Sequence, residues 1–136
     1  MARISLFDIV GPIMVGPSSS HTAGAVRLGL ATRRILGEDV RKATISLHGS
    51  FAATYWGHRT DVALIAGLLG MGMADKRIPQ ALELAQARGL DYSFHSVNLG
   101  DVHPNSVEIQ AHGEHGKLTV RGASIGGGRI RLFSID

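Results

Sequence analysis

Ser106-Val107-Glu108-Ile109-Gln110 and Lys117-Leu118-Thr119-Val120-Arg121, joined by His112-Gly113-Glu114-His115-Gly116, decide the fold. Apolar and polar side chains alternate on either side of a glycine-flanked turn. That is the pattern of a β-hairpin with one face buried and the other in water. Working outward, Tyr92-Ser93-Phe94-His95, Arg129-Ile130-Arg131-Leu132-Phe133 and Ala43-Thr44-Ile45-Ser46-Leu47-His48 also read as strands. The first half of the chain has a different period. An apolar-periodic run from about Ser20 to Leu36 reads as a helix, with Gly37 as its stop. Thr60-Asp61 caps a second, Val62 to Leu69, ended by Gly70, and a third follows Pro79 through Ala81 to Ala85 and stops at Gly89. Ser5 to Ile9 forms a short helix ahead of Gly11-Pro12. Helices first and strands later predict an α+β fold, with helices packed on one face of a mixed or antiparallel sheet.

Composition narrows the function. A chain of 136 residues, 44% hydrophobic and 18% charged, fits one globular domain over residues 1–136. No apolar run is long enough to span a bilayer, and Asp8 with Gly11-Pro12 interrupts any leader, so a cytoplasmic protein without membrane contact is expected. Cysteine is absent, which excludes disulfides, thiolate zinc sites and a cysteine-held iron–sulfur cluster supplied by this chain. The net charge of +3 comes from scattered single or paired bases, and aromatics are 5%, so nucleic acid is not an expected partner.

Gly16-Pro17-Ser18-Ser19-Ser20-His21-Thr22-Ala23-Gly24 is the densest chemistry in the sequence. A turn, three consecutive hydroxyls, a histidine and a fourth hydroxyl run straight into the first long helix. Unsatisfied first-turn amides and the helix dipole favour an anion there. Two readings stand side by side: a carboxylate or phosphate cradle, and plain N-capping by Ser20 or Thr22 with His21 solvated. Of seven histidines, His112 and His115 lie on the hairpin tip as a solvated turn, and His48 and His95 follow strand alternation as structural residues. No metal site is expected. His21, His58 in Gly57-His58-Arg59-Thr60-Asp61, and His103 in His103-Pro104-Asn105-Ser106 sit at element boundaries beside hydroxyls or amides, where catalytic groups are commonly mounted.

These segments resemble the β chain of bacterial iron–sulfur-dependent L-serine dehydratase. The matching stretches are Phe7 to Pro12, Gly16 to Gly24, Gly49-Ser50-Phe51-Ala52, Gly57-His58 with Thr60-Asp61, His103-Pro104-Asn105 and Ser124-Ile125-Gly126-Gly127-Gly128, in the family's order. The resemblance implies that L-serine loses its α-proton to a base as its hydroxyl departs, and that the aminoacrylate becomes pyruvate and ammonia. It implies a 4Fe–4S cluster held by cysteines of a partner α chain, in a homo- or hetero-oligomer. It also implies catalytic roles for His58, His21 and His103, and substrate binding by Ser18, Ser19, Ser20, Thr22, Thr60, Asp61, Asn105 and Ser106. His58 is the expected base. The sequence departs from the family pattern at Trp56, where lysine is common, at Arg59, where glycine is usual, and at Ser106, where threonine is common. Many β chains continue into an ACT domain beyond the glycine run, and none is expected here.

A second function class competes with the catalytic subunit. The same domain type resembles the allosteric substrate binding domain of some D-3-phosphoglycerate dehydrogenases, in which the serine loop would be an anion sensor. A sensor needs the cradle and has no use for a base. The presence of His21, His58 and His103 together favours catalysis.

Overall fold

The computed structural model describes residues 20–49 and 60–136, with Ser20 and His21 described through their backbone alone. Helix α1 (Ser20–Leu36) leads into β1 (Lys42–His48); α2 (Thr60–Leu68), a 3-10 turn (Ile78–Gln80) and α3 (Ala81–Arg88) follow. Then come β2 (Asp91–Val97), β3 (Ser106–His112), β4 (Lys117–Gly126) and β5 (Arg129–Ile135). The strands form one mixed sheet in the order β2-β1-β3-β4-β5, parallel between β1 and β2 and antiparallel elsewhere. The α2–α3 crossover is what the parallel pair requires, because parallel neighbours cannot be joined by a tight turn.

The expected α+β architecture is therefore present, and the element boundaries follow their local signals. Gly37 accepts the end of α1, donating its N–H to the Arg33 carbonyl at 3.0 Å. Gly89 closes α3 in the left-handed region, at φ 78°, donating to the carbonyls of Ala85 and Gln86. The short helix expected over Ser5 to Ile9 lies outside the described residues.

Alternation places Ala43, Ile45 and Leu47 of β1 and Val107, Ile109 and Ala111 of β3 in the core under the helices. Helix α1 lies across β3, β4 and β5 and packs most extensively on α2. The two helices cross at glycines. A Cβ on Gly67 would stand 2.6 Å from the Leu30 nitrogen and would collide with the Val26 carbonyl oxygen; one on Gly29 would stand 2.9 Å from the Leu68 nitrogen. Backbone meets backbone there.

One latch escaped sequence reasoning. The Glu38 carboxylate, just past α1, accepts backbone N–H bonds from His115 at 3.1 Å and Gly116 at 2.8 Å. The tip between β3 and β4 is thus tied to the helix end, and these amides hold the Glu38 carboxyl below its ordinary value of 4.5. Its partners lie 77 and 78 residues away, so no local pattern announces the contact.

Candidate functional site

Strand direction decides which described segments share an end of the sheet. Because β1 and β2 run one way and β3 the other, the ends of β1, β2 and β4 and the starts of β3 and β5 share one end of the sheet. The N-terminus of α1 is fastened to this end. A Cβ on Gly24 would stand 2.6 Å from the Ser124 Cβ, and one on Gly128 would stand 3.3 Å from the Ala23 Cβ. Gly126, Gly127 and Gly128 have φ of 102°, 64° and 80°, so the chain reverses between β4 and β5 through a conformation that side chains resist. The Ser-x-Gly-Gly-Gly stretch, unassigned by sequence reasoning, is the seat for the hydroxyl-rich helix start.

The loop before β3 is pinned at several points. The Ser106 hydroxyl donates to the His103 carbonyl oxygen at 2.6 Å, and the Asn105 N–H donates to His103 Nδ1 at 3.0 Å. The Ser124 N–H donates to the Asn105 carbonyl at 3.1 Å. Gly49, just past β1, lies so close that a Cβ would stand 2.6 Å from the Pro104 carbonyl oxygen. Alongside, the Leu99 N–H donates to His48 Nδ1 at 2.9 Å, the structural role expected of that histidine. Since Nδ1 of His103 accepts a hydrogen bond, the neutral ring carries its proton on Nε2.

The direction of that ring follows from β4. Gly122 faces Leu28, and Ser124 faces Gly24, so both look towards α1. Ala123 and Ile125 look the other way and line a cavity with His103. His103 thus lies on the side of the sheet away from α1, close to the strand ends that carry the serine helix.

Thr22 and Ser106 are buried, and Asn105 and Asp61 are half-buried. Thr60, expected to cap α2, is instead its first helical residue. Its side chain is fully buried, and its Oγ1 has no hydrogen-bond partner. An orphaned buried hydroxyl is costly. Ser18, Ser19, Trp56, His58 and Arg59 lie outside the described residues, as do the side chains of Ser20 and His21. Among the described residues no three His, Cys, Asp or Glu converge to hold a metal, and no helix is long and apolar enough to cross a membrane.

Comparison with known proteins places this architecture. The family profile described as "Serine dehydratase beta chain" matches residues 5–91. The "Probable L-serine dehydratase, beta chain" of Bacillus subtilis is 47% identical over 132 residues, covering 97% of this chain and 60% of that protein. The "L-serine dehydratase, beta chain" of Peptoniphilus asaccharolyticus is 46% identical over 138 residues, covering 100% of this chain and 62% of that one. "L-serine dehydratase 1" of Escherichia coli is 34% identical over 153 residues, covering 93% of this chain and 33% of its own length. The chain spans about three-fifths of the length of the two β chains it matches. With the family's profile matched over most of its length, this chain belongs to the serine dehydratase beta chain family.

Proposed function

We propose that this chain is the β subunit of a cytoplasmic, iron–sulfur-dependent L-serine ammonia-lyase, forming pyruvate and ammonia only when paired with a cluster-bearing α chain. The observation that carries the reading is the meeting of two segments that bear candidate residues, the start of α1 and the His103–Ser106 loop, at one end of the sheet. There the start of α1 is seated on Ser124, and the His103–Ser106 loop is pinned beside it. The printed names of the two β-chain relatives support the pairing with a second chain.

An iron–sulfur cluster does not fit this chain. It has no cysteine, and the described residues offer no converging set of ligands. What the chain supplies is substrate binding and proton handling. The hydroxyls of Ser18, Ser19, Ser20 and Thr22, with the first amides of α1, bind the substrate carboxylate, and His21 orients it. The buried Thr60 hydroxyl, with Asp61 at the start of α2, offers further polar contacts to the substrate. His58 takes the α-proton, as an imidazole with a free pKa of about 6.5 can do near neutrality. His103 presents its Nε2–H and works with Asn105 and Ser106 as a donor that positions the amino or hydroxyl group. A ring whose Nδ1 is already occupied by an amide suits that role better than the base's.

Kinetics of the paired enzyme test these roles. Ser19→Ala and Ser20→Ala should raise KM more than they lower kcat, each costing about 1.5–3 kcal/mol of binding to a charged group. His58→Asn should abolish solvent-deuterium exchange at the α-carbon while leaving subunit association intact. Unchanged KM in both serine variants would remove the loop from the carboxylate site, and wild-type exchange in His58→Asn would assign the base elsewhere.

A further inference from the structure

A cavity lies beside His103, on the side of the sheet away from α1. It encloses about 270 Å³ and is lined by Asp101, Val102, His103, Ala123, Ile125, Arg131 and Phe133. Its floor is apolar, formed by Ala123 and Ile125 of β4 with Phe133 of β5. Its rim carries one cation and one anion. Phe133 is 42% exposed, so the cavity opens to solvent.

The charges at this rim are unspent. Some of the described ions are paired: Arg121 with Glu108 at 2.8 Å, Arg77 with Asp75 at 2.7 Å and Arg41 with Glu114 at 2.9 Å. Among the described residues neither Arg131 nor Asp101 has an ion-pair partner, and although they line one cavity they do not pair with each other. Opposite charges beside an apolar floor match a zwitterion carrying a hydrocarbon substituent. A site of this kind, apolar with a few convergent polar groups, is how proteins hold small ligands.

We propose that this cavity binds a small apolar α-amino acid. Its carboxylate lies against the Arg131 guanidinium, its ammonium against Asp101, and its side chain on Ala123, Ile125 and Phe133. The volume suits side chains of the size of valine or leucine, and the apolar floor rejects a hydroxylated side chain, whose oxygen would lose its water without gaining a partner.

Titration calorimetry on the full chain tests this with L-valine, L-leucine, isovalerate, isobutylamine and L-serine. Saturable binding of valine or leucine is expected, at least tenfold tighter than isovalerate or isobutylamine, each of which satisfies only one end. Arg131→Gln and Asp101→Asn should each weaken valine by about tenfold or more, the scale of one lost charge-assisted contact. Both are surface substitutions, and the circular dichroism of each variant confirms that it remains folded. No saturable binding of either apolar amino acid would overturn the proposal. So would valine binding unaltered in both variants, or L-serine binding that Arg131→Gln weakens as much as it weakens valine. These results do not depend on catalysis, so the assignment of this cavity can fail while the β-subunit reading stands.

Discussion

Replacing Gly67 with alanine at the crossing of α1 and α2 should destabilise the protein, although alanine is the better helix former. Two terms oppose each other. Replacing a glycine in the last turn of α2 gains at most about 1 kcal/mol of propensity. Against it, the new Cβ would meet the Val26 carbonyl oxygen, the Leu30 nitrogen at 2.6 Å and the Gly29 carbonyl carbon at 2.9 Å. All three are backbone atoms, so no side chain can rotate aside. Restoring ordinary contact requires the helices to part by about 1 Å, and overpacking of this kind costs about 1–3 kcal/mol or more. Parting them also weakens the contacts of Val26, Leu28, Leu64 and Leu68, all essentially inaccessible to solvent. The clash outweighs the propensity gain, and a net loss of about 1–2 kcal/mol should lower Tm by roughly 4–8 °C for a chain of this size. Gly29→Ala should behave alike, and the double variant should cost less than the sum, because one added methyl already opens the gap that the second occupies. Urea and thermal unfolding of the three variants measure this. A Gly67→Ala protein as stable as its parent, or more so, would show that the helices are not in backbone contact.

Glu38 should contribute to the acid limb of stability. Its folded pKa is depressed, so its contribution is present above its ordinary value of 4.5 and is lost as pH falls through the lower folded value. Asp75, held down to about 2 by Arg77, adds to the same limb at still lower pH. Glu38→Gln should flatten the pH dependence of stability below 4.5 and speed hydrogen exchange at the His115 and Gly116 amides, as NMR would show. Thr60→Val should leave the isolated chain as stable as before or stabilise it by about 1 kcal/mol, since it deletes an unsatisfied buried hydroxyl, yet raise KM for L-serine in the paired enzyme. A Thr60→Val protein with unchanged KM would exclude that hydroxyl from the site. Ser106→Ala should cost about 1 kcal/mol and lower kcat by releasing the His103 loop, and Ser106→Thr, which keeps the hydroxyl, should restore both.

Elements with a local signal were legible in the sequence. The run from the hydroxyl triplet to Gly37 marks α1, and the glycine-flanked tip marks the β3–β4 hairpin. Long-range features were not. The parallel pairing of β1 with β2 depends on the crossover between them, and a sheet described only as mixed or antiparallel did not specify it. Gly29 and Gly67 read as ordinary small residues until two helix axes are known to cross there. The site was legible as residue types and not as geometry. Its candidate histidines could be picked out by their polar neighbours, but the seating of α1 on Ser124 and the place of His103 on the side away from α1 depend on strand alternation and register.

In the proposed function this chain completes an active site whose cluster a second chain holds. Anaerobic assay of pyruvate from L-serine tests it most directly, with this chain alone, a cysteine-bearing α chain alone and the two together. The account predicts pyruvate from the mixture and none from either chain by itself. Robust pyruvate formation by this chain alone, or by the α chain without it, would contradict the account.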